Sequence, residues 1–179
     1  LSVNDQSGGV HLEMAQCHLD RNELQSARDC LEVAVTLSPE SGEAWWRLGE
    51  VLYRLESPGA LSAFQEAVER LKDPQALGSA WFRIGQMEFD RNQVENAARS
   101  FELALQSCPD SIDTMTALAD TLMMLDREDE AVKYYERALE HWPEPPRHVL
   151  ANMGSALHYT GLYAEAAQVF LRVLAGHPN

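Results

Sequence analysis

The sequence predicts an all-α chain built from about five stacked helix-turn-helix repeats. Three observations predict it. Ala27, Ala60, Ala97, Ala131 and Ala166 recur at spacings of 33, 37, 34 and 35 residues. Four positions after each stands a large apolar residue (Leu31, Phe64, Phe101, Tyr135, Phe170), and three further on a smaller one (Ala34, Ala67, Ala104, Ala138, Val173). Apolar residues within each unit lie three, four and seven apart, which is the period of a helix and not of a strand. A single helical pair cannot bury its apolar stripe alone, but it can when stacked on its neighbours.

The units read as 8–41, 42–77, 78–111, 112–146 and 147–179, after a polar leader or linker at 1–7. In the first, Met14-Ala15 marks one helix, and Asp20-Arg21-Asn22 the turn before the next. In the second, Trp45 and Leu48-Gly49 mark the first helix. Its turn, Glu56-Ser57-Pro58-Gly59, is one residue shorter, with Ser57 suited to capping and Pro58 to a first helical turn. In the third, Trp81, Ile84, Gly85 and Glu88 form one row, and Val94, Ala97, Ala98, Phe101, Ala104 and Leu105 another, with Asp90-Arg91-Asn92 between. Leu118-Ala119 and Met153-Gly154 open the fourth and fifth in the same frame. Asn22, Asn92 and Gly161 share one slot, which suits a left-handed residue ending a helix. The prolines (Pro39, Pro58, Pro74, Pro109, Pro143, Pro145, Pro146, Pro178) all fall in predicted turns. Inside a helix each costs roughly 3 kcal/mol. The extra residues of the longer units are expected in turns too, at 72–77 and 145–146. Gly49, Gly85 and Gly154 let two helices approach closely, and the large residues fill the remaining space.

Composition narrows the function. The 179 residues are 45% hydrophobic and 23% charged, as in a folded protein. The net charge of -14 argues against a general nucleic-acid surface and against binding to an anionic membrane. Of the bases only Lys72 and Lys133 are lysine. No run of apolar residues is long enough to insert in a membrane. Cys17, Cys30 and Cys108 are too few and scattered for a disulfide framework or metal motif. They favour a reducing, cytoplasmic compartment.

The pattern W-x2-L-G…A-x3-F-x2-A-x4-P at a period near 34 resembles the tetratricopeptide repeat family. Trp81 through Ile84-Gly85, Ala97, Phe101, Ala104 and Pro109 is the nearest copy. The resemblance covers 8–179 and implies a right-handed superhelical α-solenoid. His11 and His18 stand where the family is usually aromatic, and Leu150 and Leu157 replace those residues in the fifth unit. The family also occurs in bacterial envelope assemblies, which keeps the periplasm open as a compartment.

The resemblance further implies that the first helix of each pair lines a concave groove. The expected lining includes Trp46, Glu50, Tyr53, Arg54, Phe82, Gln86, Phe89, Asp90, Asp120, Met123, Met124 and Tyr159. Trp46, Tyr53, Phe82 and Phe89 would form a two-by-two aromatic patch, continued by Met123. Around it stand Asp20, Glu43, Glu50, Asp90, Asp113 and Asp120 against Arg54, a balance of 1 - 6 = -5. Such a groove suits a peptide or helix with apolar anchors and basic flanks. Two readings of the aromatics stand side by side: anchors at least half exposed in the groove, or packing between helices. The acids likewise read either as a selective lining or as a solvated face. The family's carboxylate-gripping mode needs several Lys, Asn and Arg residues in the lining, and here Arg54 stands alone.

His11 and His18, seven apart, are about 10.5 Å apart along a helix, too far to share one zinc. They are expected to fill core slots. Cys30 and Cys108 read as small residues on packed faces. The sequence carries no catalytic motif. The expectation is therefore a non-catalytic scaffold for another protein, with no cofactor and no metal. Self-association is the alternative, suggested by an apolar last helix (Val169, Phe170, Val173, Leu174), as is a role as one module of a larger protein.

Overall fold

The structure, a computed structural model, describes residues 3–142 and 144–175. The sequence readings at Pro143, His177 and Pro178 lie outside them. The described residues form ten helices in five pairs. They are α1 (Val3–Asp20), α2 (Leu24–Leu37), α3 (Gly42–Arg54), α4 (Ala60–Val68), α5 (Pro74–Asp90), α6 (Val94–Ser107), α7 (Ile112–Met124), α8 (Glu128–Glu140), α9 (Arg147–Tyr159) and α10 (Tyr163–Ala175). The chain packs as two compact units, Leu1–Ile84 and Gly85–Asn179, and the division falls inside α5. Among the described residues no helix is long and apolar enough to cross a membrane.

Two boundaries differ from the sequence reading. Helix α1 begins at Val3 and takes in residues 3–7 of the expected leader. Pro74 and residues 75–77, read as turn, are the opening of α5. Pro74 is its first residue, where a missing N–H costs nothing. Asp73 Oδ2 accepts from the Ala76 N–H at 2.8 Å and caps the start.

Three of the pairs close on a glycine facing a ring. A Cβ on Gly49 would lie 2.7 Å from the Phe64 ring, on Gly85 2.6 Å from Phe101, and on Gly154 2.7 Å from Phe170. Real Cβ atoms do not come so close, so these glycines set how near the helices pack. Ala15 and Ala119 hold the same slot in the first and fourth pairs. In the first unit Leu31, Phe64 and Ile84 are buried; in the second, Phe101, Met115, Leu118, Leu122 and Tyr135.

The turn inside each pair is one structure repeated five times. Asn22, Glu56, Asn92, Asp126 and Gly161 all have positive φ, between 52° and 81°. The sequence reading found the two asparagines and the glycine but not Glu56 or Asp126. In each turn the left-handed residue donates its N–H back to the third residue before it (Asn22 to Leu19, Asn92 to Phe89). The next residue donates five back (Glu23 to His18, Gln93 to Glu88). These bonds satisfy carbonyls the helix end leaves open. Between pairs, Ser41 and Ser111 cap α3 and α7 by accepting from the N–H of Ala44 and Thr114. Trp45 Nε1 donates to the Pro39 carbonyl at 2.8 Å and ties down the turn before α3.

Candidate functional site

In the first unit, α1, α3 and the Pro74–Ile84 part of α5 are joined along one face by side-chain contacts. Arg47 donates from α3 to the Gln16 carbonyl oxygen on α1 at 2.7 Å. Arg54 donates to Asn22 at 2.8 Å. Arg83 on α5 pairs with Glu50 on α3 at 2.8 Å, and its guanidinium lies 5.2 Å above the Tyr53 ring. A cavity of about 260 Å³ opens on this face, lined by Gln16, Leu19, Trp46, Arg47, Glu50, Val51 and Arg54. Its wall is mainly apolar. The Trp46 side chain forms part of the wall, while its Nε1–H is buried and finds no acceptor among the described residues. A buried donor without a partner is costly, which makes this nitrogen unusual in a folded chain.

In the second unit, Asp120 on α7 is the polar centre. It accepts from Asn152 Nδ2 on α9 at 2.8 Å and from the Tyr135 hydroxyl on α8. Burial, and then the Asp120 charge, push the Tyr135 hydroxyl far above its ordinary range, so it stays a donor. Elsewhere in this unit, Glu88 accepts from the buried Ser100 hydroxyl at 2.6 Å.

The polar contacts between first helices follow one register. Slot by slot, Arg47, Arg83 and Asn152 are equivalent, and so are Gln16, Glu50 and Asp120 in the preceding repeats. Each residue of the first group donates to its counterpart in the second: Arg47 to Gln16, Arg83 to Glu50, Asn152 to Asp120. Ala117 holds the donor slot in the fourth repeat and has no side-chain donor.

This register changes the expected lining. Arg54 is not the one base there, because Arg47 reaches the cavity and Arg83 reaches Glu50. Glu43 is paired with Arg47 at 2.7 Å. Glu50 and Asp120, expected to select a basic partner, are held by partners within the chain. The balance of -5 therefore does not describe this face: long guanidinium stems on flanking positions swing onto it. The aromatic reading changes as well. Trp46, Tyr53, Phe82 and Phe89 are all partly buried, short of half exposure and short of full burial. Trp46, Tyr53 and Phe82 lie in the first unit, Phe89 in the second. Gln86 and Met123 are partly buried; Arg54, Asp90, Met124 and Tyr159 are exposed. Tyr159 sits edge-on to His158, with ring centroids 5.9 Å apart. His11 and His18, expected as core, are only partly buried, and His18 Nδ1 meets Glu23 at 2.6 Å. Arg47, Val51 and Arg83 were missed. The signal for the two arginines was available: they stand 36 residues apart, in one slot, each facing a polar slot in the preceding repeat.

Family models described as tetratricopeptide repeat match residues 12–70, 56–112 and 110–179. The chain belongs to the tetratricopeptide repeat family. Tetratricopeptide repeats generally serve as non-catalytic scaffolds for protein–protein interaction. The CTR9 homolog of Arabidopsis thaliana is 29% identical over 101 residues, 56% of this chain but 9% of that protein. Among solved tetratricopeptide structures, MamA superposes with a TM-score of 0.82 at 17% identity, covering 95% of this chain and 91% of that one. YrrB, described as a tetratricopeptide protein with an unusual peptide-binding site, has a TM-score of 0.81 at 18% identity, covering 94% and 86%. PilF of Pseudomonas aeruginosa has a TM-score of 0.72 at 18% identity, covering 99% and 80%. At these identities the likeness is one of fold.

Proposed function

We propose that the chain is a protein-interaction scaffold that binds a peptide or helical segment of a partner protein on the first-helix face of its first unit. The observation that carries this reading is the cavity against Trp46. It is mainly apolar and large enough for one bulky side chain. An apolar anchor residue would fill the cavity against the Trp46 side chain. Tyr53 and Phe82 would extend the contact.

Because Glu50 is paired with Arg83, selection near the cavity rests on shape and apolar surface more than on charge. The exposed acid Asp20 still favours a basic residue in the flank of the partner. YrrB offers a precedent for peptide binding on this fold. A second reading, an interaction module within a longer protein, rests on the small share of the Arabidopsis relative that the chain matches.

A displayed random-peptide library panned on the chain tests the site. Selected peptides should carry a bulky apolar residue. Trp46→Ala should weaken them at least about tenfold, or about 1.4 kcal/mol, and Trp46→Phe by less. Peptides that bind Trp46→Ala as well as the native chain would remove the cavity from the site.

A further inference from the structure

Three of the residues that line the Trp46 cavity are charged: Arg47, Glu50 and Arg54. The first two are matched within the chain. Arg47 donates from Nε and Nη2 to Glu43 at 3.1 and 2.7 Å, and from Nη1 to Gln16 at 2.7 Å. Glu50 accepts from Arg83 on both of its oxygens, at 2.8 and 3.4 Å. Arg54 differs. Its Nη2 donates to the neutral side-chain oxygen of Asn22 at 2.8 Å, and among the described residues no carboxylate lies within ion-pair distance of it. The charged lining residues and their ion-pair partners are thus Arg47, Arg54 and Arg83 against Glu43 and Glu50, a balance of 3 - 2 = +1. That sign is opposite to the net charge of the chain, -14.

The Arg54 guanidinium is placed by the fold. It leaves the last turn of α3 and is held by Asn22, the left-handed residue of the turn after α1, whose own N–H donates to the Leu19 carbonyl at 2.8 Å. Leu19 is another wall of the cavity. A guanidinium carries several N–H donors in a planar fork, and the Asn22 contact occupies one nitrogen. Arg54 is exposed, so the rest of the fork is open to a ligand. Asp20 holds the matching slot on α1 but does not line the cavity, and it accepts from Gln16 Nε2 at 2.8 Å.

Resting on the cavity as the site of peptide binding, we propose that the bound segment carries an Asp or Glu side chain next to its apolar anchor, and that Arg54 selects it. The partner then has a carboxylate close to the anchor, with the base favoured by Asp20 further out. Charge adds a second, smaller selection to that made by shape. The carboxylate is an internal side chain. A bare chain end calls for several donors around it, and here Gln16, Arg47 and Arg83 are already engaged with Asp20, Glu43 and Glu50.

A random-peptide library displayed at the amino terminus of its carrier, so that no peptide ends in a free carboxylate, is panned on the native chain and on Arg54→Glu. Peptides selected by the native chain should be enriched in Asp or Glu beside the apolar anchor; those selected by Arg54→Glu should carry Lys or Arg there. A synthetic peptide from the native selection, with both ends blocked, should lose about threefold to fivefold in affinity when its acid becomes Gln. Fluorescence polarisation reads this loss, which should vanish in Arg54→Gln and shrink in about 1 M salt. Both variants sit at an exposed position and should keep native helicity; Arg54→Gln carries the test alone should Arg54→Glu lose it. Peptides that depend on Trp46 but show no acid beside the anchor would overturn the role of Arg54 and leave the cavity as the site. So would an acid whose replacement weakens binding equally in Arg54→Gln, or a blocked peptide outbid by one that ends at the anchor in a free carboxylate. Peptides indifferent to Trp46→Ala would remove the cavity and the role of Arg54 together.

Discussion

At the scale of single residues, the glycine facing a ring is where sequence speaks most directly to packing. Gly85 lies so near Phe101 that a methyl group must displace the ring. Gly85→Ala should therefore lower stability by about 1–3 kcal/mol, despite the better helix propensity of alanine. Urea denaturation reads this directly, and a stabilised Gly85→Ala would contradict the close approach. Tyr135 gives a second residue-level expectation. Its hydroxyl is held protonated in the folded chain and ionises near pH 10 when unfolded. Above that pH the unfolded chain binds fewer protons, so stability falls as pH rises. Tyr135→Phe should be less stable at pH 7, by about 1 kcal/mol, because Asp120 loses a donor. The extra alkaline slope should vanish in that variant, as followed by circular dichroism between pH 8 and 11.

At the scale of elements, the helices were legible because the Ala, Gly and large-apolar slots repeat in every unit. The opening of α5 was not, because Pro74 reads equally as turn and as first helical residue. Glu56 and Asp126 were also hidden, since neither type signals a left-handed backbone as Asn22, Asn92 and Gly161 do. The polar face was misread for a different reason. Lining positions were carried over slot by slot, and Arg47 and Arg83 belong to a neighbouring slot whose long stems reach across. The contact of Arg83 with Glu50 should behave as a partly exposed ion pair between elements. A double-mutant cycle with Arg83→Ala and Glu50→Ala should give a coupling of about 0.5–1 kcal/mol that shrinks in 1 M salt. A coupling of zero would return Glu50 to the role of a free acid.

At the scale of the molecule, stability is a sum over neighbours and need not be uniform. The chain packs as two units divided within α5, each with its own buried rings. Phe64 is fully buried in the first, so Phe64→Ala should cost about 3–5 kcal/mol there. Amide exchange should show protection lost chiefly in Leu1–Ile84 and retained in Gly85–Asn179. Equal loss in both would mean that the chain unfolds as one cooperative block.

The difference between the contacts inside a pair and those between pairs has a mechanical consequence. Inside three of the pairs a ring is locked against a glycine; between first helices, the side-chain links are a few polar contacts at the surface. Under tension these polar links should part before a pair opens, while the apolar packing of a second helix on the next first helix (α2 on α3, α6 on α7, α8 on α9) gives way with the pairs. Each released pair then pays out about 34 residues, or roughly 12 nm of contour length. The protein would lengthen in regular steps, one pair at a time, rather than open like a single latch.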